Sequence, residues 1–149
     1  GAICGLDGVE GASVEEIYTA QITSTKHPKS LMGAPYLVEN RIDLSSLKEP
    51  MVVFQGTAKE AISGFPKNVN VAVALSLAGI GVDRTMVKIV ADPDTTRTQH
   101  EINVEGVFGE LTTRVRNHIH PGNPKTSYLA ALAAIRTLRK LSEPIQLGT

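Results

Sequence analysis

Thr98-Gln99-His100-Glu101-Ile102-Asn103-Val104-Glu105-Gly106-Val107 and Glu110-Leu111-Thr112-Thr113-Arg114-Val115-Arg116-Asn117, joined by Phe108-Gly109, form the stretch that decides the fold. Both runs alternate apolar with polar residues, the period of a half-buried strand, and the glycine-containing turn makes them a hairpin. His100 shares its face with Ile102 and Val104, while Glu101, Asn103 and Glu105 point the other way.

Working outward, Thr85 to Ala91 reads as a strand closed by Asp92-Pro93-Asp94. Before it, Asn68 to Ala78 combines alternating valines with a run ending at Gly79; its length and terminal glycine predict a buried helix capped by Asn68. Val52 to Gln55 reads as a short buried strand. It leads into a helix over Ala58 to Ile62, where Thr57 and Glu60 make a capping box and Phe65-Pro66 a stop. The β-branched residues from Val14 to Lys26 predict a long strand, broken at His27-Pro28-Lys29-Ser30 by a loop reaching about Tyr36. A short helix begins near Ala2. Downstream of the hairpin, Asn123 as cap and Pro124 at the first helical position open a helix striped by Leu129, Leu132, Ile135 and Leu138. Long strands with helices gathered between them predict an α+β fold: a mixed or largely antiparallel sheet covered on one face by helices.

At 149 residues the chain is sized for one domain with its own core. Fifteen basic residues balance fifteen acidic ones, which leaves no global field to draw in nucleic acid or an anionic membrane. No apolar run approaches the ~20 residues that span a bilayer. The single Cys4 cannot form an intramolecular disulfide and suits a reducing, intracellular setting. The opening Gly1-Ala2-Ile3-Cys4-Gly5 reads as the middle of something, in keeping with a trimmed chain.

Gly79-Ile80-Gly81-Val82-Asp83-Arg84 is the one candidate phosphate loop, but it follows a helix and has arginine where a third glycine belongs; it reads as a helix cap and turn. His118-Ile119-His120 has a spacing used in some zinc sites, without a third ligand in view, so no metal is expected and a solvated loop fits better. Two readings fit His100: a core imidazole bonded to a backbone carbonyl, or a desolvated, neutral base able to take an amine proton. Asn70 offers a donor and an acceptor together, the complement of a carboxamide. Anionic substrates would find Lys26, His27, Lys29 and Ser30 at a strand end, or Lys125, Thr126 and Ser127 at a helix N-terminus.

Phe65 to Gly79, Ala91-Asp92-Pro93, His100-Glu101-Ile102, Asn123 to Leu132, and the opening Gly1-Ala2 with Gly5-Leu6-Asp7 resemble, in order, the pattern of L-aspartate dehydrogenases. The resemblance implies a C-terminal catalytic and dimerisation domain, 1–149, whose N-terminal Rossmann domain binding NAD or NADP is missing from this chain. It places the active-site histidine on His100 and cofactor contacts on Asn70 and Ala2; Lys26, Lys125 and Thr126 are candidate substrate ligands from their positions in the sequence, not from the resemblance. The implied enzyme is a cytoplasmic homodimer that oxidises L-aspartate to iminoaspartate, which hydrolyses to oxaloacetate or feeds NAD biosynthesis. The fragment alone is expected to be inactive. Homoserine dehydrogenase and dihydrodipicolinate reductase share the two-domain layout, and a non-catalytic dimerisation module is the remaining alternative.

Overall fold

The computed structural model describes residues 3–144, apart from the side chains of 119 and 123–126. Helix α1 (Leu6–Ala12) leads to strand β1 (Ile17–Lys26), a 3-10 turn at Pro28–Ser30, and a short helix α2 (Pro35–Glu39). Strand β2 (Met51–Thr57), helices α3 (Ala58–Gly64) and α4 (Asn70–Ala78), and strand β3 (Met86–Ala91) follow. The hairpin is β4 (Thr98–Gly106) with β5 (Gly109–Asn117), and the described chain closes with β6 (Ile119–His120), β7 (Asn123–Ser127) and helix α5 (Tyr128–Lys140).

The sheet runs β2-β3-β1-β4-β5. Strand β1 pairs parallel with β3 and antiparallel with β4, so the sheet is mixed, as the alternation predicts. Its inner face carries Ala20 and Ile22, Val87 and Ile89, and Ile102 and Val104, packed under Val9 of α1, Ala61 of α3 and Ala72 and Leu75 of α4. The outer face is laced by cross-strand polar pairs: Glu101 with Arg114, Gln99 with Arg116, and Asn103 with Thr112. This division follows directly from the period-2 pattern. Phe54 meets Tyr36 and Phe65 edge to face and those two rings lie tilted to each other, all with centroids 5.1–5.5 Å apart, tying α2 to β2 and the end of α3.

Five local readings are corrected. Helix α1 starts at Leu6 instead of near Ala2, behind Gly5 at φ 86, where a Cβ would sit 2.7 Å from Thr113 Cγ2. The loop expected to run to Tyr36 contains α2, too short for periodicity to reveal and held by the buried Leu37. Helix α4 starts at Asn70, not Asn68, and makes no side-chain cap, because the Asn68 amide is engaged elsewhere. Residues Asn123–Ser127 form a strand paired with Ile119–His120, so the His118–His120 segment is not a plain loop. Helix α5 begins four residues later than Asn123 would set it, capped by Ser127, whose Oγ accepts from the Ala130 amide at 3.3 Å. The other elements stand where the sequence puts them, the Thr57–Glu60 capping box included.

Candidate functional site

Strand alternation puts Ile22, Ser24 and Lys26 on one face of β1, and His100, Ile102 and Val104 on the same face of β4. Antiparallel register sets Ser24 directly opposite His100. There the face changes character. Below it lie Ile22 against Ile102; at this end Ser24 Oγ and His100 Nδ1 stand 2.9 Å apart in a buried hydrogen bond. Ser24 is 4% exposed and His100 6%.

Lys26, two residues further along β1, closes the end of the strand. Its Nζ donates to the Asn68 carbonyl at 3.1 Å and to Asn68 Oδ1 at 3.2 Å. This explains why Asn68 does not cap α4: its acceptors neutralise part of a half-buried cation, which an N–H of the helix needs less. Burial holds the Lys26 pKa down from 10.5 to about 8. At His100 burial lowers the pKa from 6.5 to about 4, and the neighbouring Lys26 ammonium adds to the effect. At neutral pH the imidazole is therefore uncharged, with a cation beside it. The desolvated-base reading of His100 fits this environment, and the backbone-carbonyl bond of the core reading is replaced by the serine.

No fully buried side-chain nitrogen or oxygen among the described residues lacks a hydrogen-bond partner. Since the bond of His100 runs through Nδ1, Nε2 is the ring atom left to face outward. The site can then remove a proton from a bound group while presenting a cation to an anion. A cleft of about 220 Å³ lined by Ser30, Ala34, Phe65, Lys67 and Asn68 shares Asn68 with this site, while His100 and Lys26 stand outside its lining.

A profile of the family described as "Aspartate dehydrogenase, C-terminal" matches residues 7–141. The chain belongs to that family. The L-aspartate dehydrogenase of Methanococcoides burtonii is 59% identical over the whole of this chain and that of Methanosarcina mazei 54%, each match covering 55% of the relative. A crystal structure of aspartate dehydrogenase from Thermotoga maritima superposes with a TM-score of 0.73 at 30% identity, covering 99% of this chain and 54% of that one. The chain thus spans about half the length of the proteins it matches.

Within this aspartate dehydrogenase C-terminal domain, the expected site residues separate into three groups. His100 and Lys26 come together. Asn70 is exposed at the first turn of α4, two residues from the Asn68 that Lys26 holds, so Lys26 links the histidine end of the sheet to the start of that helix. Ala2 lies outside the described residues, as do the side chains of Lys125 and Thr126, whose backbone belongs to β7 instead of a helix N-terminus.

Ser24 was not singled out by the sequence pattern. The available signal was a serine on a face otherwise carrying Ala20 and Ile22, since a buried hydroxyl demands a partner. At the His118–His120 pair, His120 Nδ1 accepts from the Gly122 amide at 3.0 Å, and no cluster of three potential metal-ligating side chains occurs among the described residues. Gly79 caps the end of α4 and Gly81 turns at φ 80, as expected for a cap and turn. No helix among the described residues is long and apolar enough to cross a membrane.

Proposed function

We propose that this chain is the substrate-side half of an NAD(P)-dependent L-aspartate dehydrogenase, with His100 as proton acceptor. The observation that carries the reading is a neutral imidazole, its Nε2 free, beside a lysine at the end of one sheet. In the proposed reaction the substrate amine loses a proton to His100 Nε2 as its carbon–hydrogen bond breaks, leaving iminoaspartate. The nicotinamide, when bound, accepts the hydride from that carbon. Lys26 meets a substrate carboxylate, exchanging its bonds to Asn68 for the incoming anion. The exposed Asn70 amide matches the donor and acceptor of a carboxamide, and so suits a nicotinamide contact, with Ala2 as the further contact the resemblance implies. Lys125 and Thr126 remain candidate ligands on sequence alone.

The coverage of about half of each relative supports a nucleotide-binding domain elsewhere in the whole protein, with 1–149 as one catalytic and dimerisation domain. Leu132, Ile135 and Leu138 of α5 are 45–69% exposed and offer apolar surface for a second copy or that missing half. The free, exposed Cys4 suits a reducing cytoplasm.

The test is kinetic and uses the complete protein. Replacing His100→Gln should lower kcat for aspartate about 10²- to 10⁴-fold, the range of a lost general base, with aspartate binding kept within severalfold. Asn70→Ala should raise KM for the nicotinamide cofactor. Undiminished turnover in the His100 variant, or a preference for homoserine over aspartate in the wild type, would overturn the proposal. The 149-residue chain by itself should give no aspartate-dependent reduction of NAD(P).

A further inference from the structure

A neutral imidazole has a single N–H, and which nitrogen carries it decides what the ring can do. With the proton on Nε2, His100 would be a hydrogen-bond donor toward substrate and useless as a base. With the proton on Nδ1, the Nε2 lone pair faces outward. Isolated imidazoles exchange between these forms readily, so a site that needs one must hold it.

We propose that Ser24 is a positioning residue that accepts the Nδ1–H of His100 and so holds the ring with its Nε2 lone pair toward the substrate. The proposal rests on the reading of His100 as proton acceptor, and deepens it. Its geometric basis is independent of that reading. Ser24 Oγ lies 2.9 Å from Nδ1, the two residues face each other in strand register, and both are buried. Strand β1 leaves no room for the serine to drift: it is paired on both sides, with Ile89 of β3 opposite Ser24 on one flank and His100 on the other. The serine is thus carried on the middle strand of the five. A loop serine would not set a ring orientation so tightly.

Spacing adds a second element. Ser24 and Lys26 are two apart on one strand, hence on one face. One short stretch of β1 therefore supplies both the group that orients the imidazole and the cation beside it. What the role needs from this side chain is the hydroxyl. Threonine keeps the hydroxyl, and alanine removes it.

The experiment reads the nitrogens directly. Wild-type chain labelled with ¹⁵N-histidine contains four histidines, and the His100→Gln variant assigns the signals of His100 by their disappearance. Protonated and bare imidazole nitrogens resonate far apart. The wild type should show a protonated Nδ1 and a bare Nε2 at position 100. Ser24→Ala should shift His100 to a mixture of the two forms, and Ser24→Thr should restore the wild-type pattern. In the complete enzyme, kcat of Ser24→Ala should fall about tenfold, the rate equivalent of one buried hydrogen bond, with KM for aspartate little changed and Ser24→Thr again rescuing. A bare Nδ1 in the wild type, or an unchanged spectrum in Ser24→Ala, overturns the proposal. So does full turnover in Ser24→Ala. If His100→Gln keeps full turnover the proton-acceptor reading falls, and the nitrogen spectra of wild type and Ser24→Ala then decide the role of Ser24 alone.

Discussion

Replacing Lys26→Met should make the domain more stable while damaging its function. The ammonium sits half-buried at the end of β1, where burial lowers its pKa from 10.5 to about 8. That depression means the folded state disfavours the charge by about 3 kcal/mol relative to the unfolded chain at neutral pH. Methionine keeps the unbranched stem and carries no charge to desolvate. Against this, the variant loses the donor that serves the Asn68 carbonyl and Oδ1. Asn68 is only half-buried, so water replaces that donor and the loss comes to about 1 kcal/mol. The expected net gain is about 1–2 kcal/mol at pH 7, or a Tm higher by about 3–6 °C for a domain of this size.

Urea unfolding at a series of pH values checks both the size and the sign. Between pH 8 and 10.5 the unfolded chain still holds the lysine proton that the folded chain releases, so wild-type stability climbs with pH. Methionine has nothing to release. The advantage of the variant should therefore be greatest below pH 8 and close as pH rises toward 10.5. Removing the cation should also raise the His100 titration midpoint above about 4 while leaving it below 6.5, since burial is the larger cause. A variant less stable than wild type by more than about 1 kcal/mol, by the same margin at every pH, would refute the reasoning and make Lys26 a structural residue.

Three other outcomes follow from the same geometry. His100 is held neutral, so between pH 6.5 and about 4 the unfolded chain takes up a proton that the folded chain refuses. Stability should fall over that window by about 3 kcal/mol more in wild type than in His100→Gln, and matching acid limbs in urea titrations would count against it. Gly106→Ala should destabilise by more than about 1 kcal/mol, because its Cβ would lie 2.6 Å from the Glu16 carbonyl oxygen, a backbone atom that cannot step aside; calorimetry reads the loss directly. Asn70→Ala, at an exposed first-turn position with no cap to lose, should leave stability within about 0.5 kcal/mol, so any loss of cofactor affinity in the complete protein reports binding and not folding.

The hairpin, the capping box and the long strand β1 were legible because each is a local pattern: alternation, a three-residue reciprocal cap, a β-branched run. His100 was legible as a candidate because it interrupts an apolar face. What lay beyond sequence was everything set by register. Ser24 meets His100 across a separation of 76 residues, and Lys26 reaches Asn68 across 42. No local period encodes which strand lies beside which. The error at Asn68 has the same origin: asparagine before a helix is a fair cap by propensity, and a long-range lysine outbid the helix for its amide. At the other end, Ser127 took the capping role because Asn123–Ser127 was recruited into a strand pair.

The topology accounts for the place of the site as well as its residues. Strand β1 has a parallel neighbour on one side and an antiparallel neighbour on the other. The parallel pair brings the carboxyl ends of β1 and β3, Lys26 and Ala91, to one edge, and the antiparallel partner brings the beginning of β4, with His100, to that same edge. Beyond that register the two chains stay joined by one more bond, the Asp92 amide donating to the Lys26 carbonyl at 2.9 Å. Ligands of open α/β sheets bind outside the carboxyl ends of parallel strands, and β1 and β3 are the parallel pair of this sheet. A buried cation and a desolvated imidazole lower stability wherever they are put. Both stand at the carboxyl end of the one parallel strand pair, so that cost is confined to one end of the sheet.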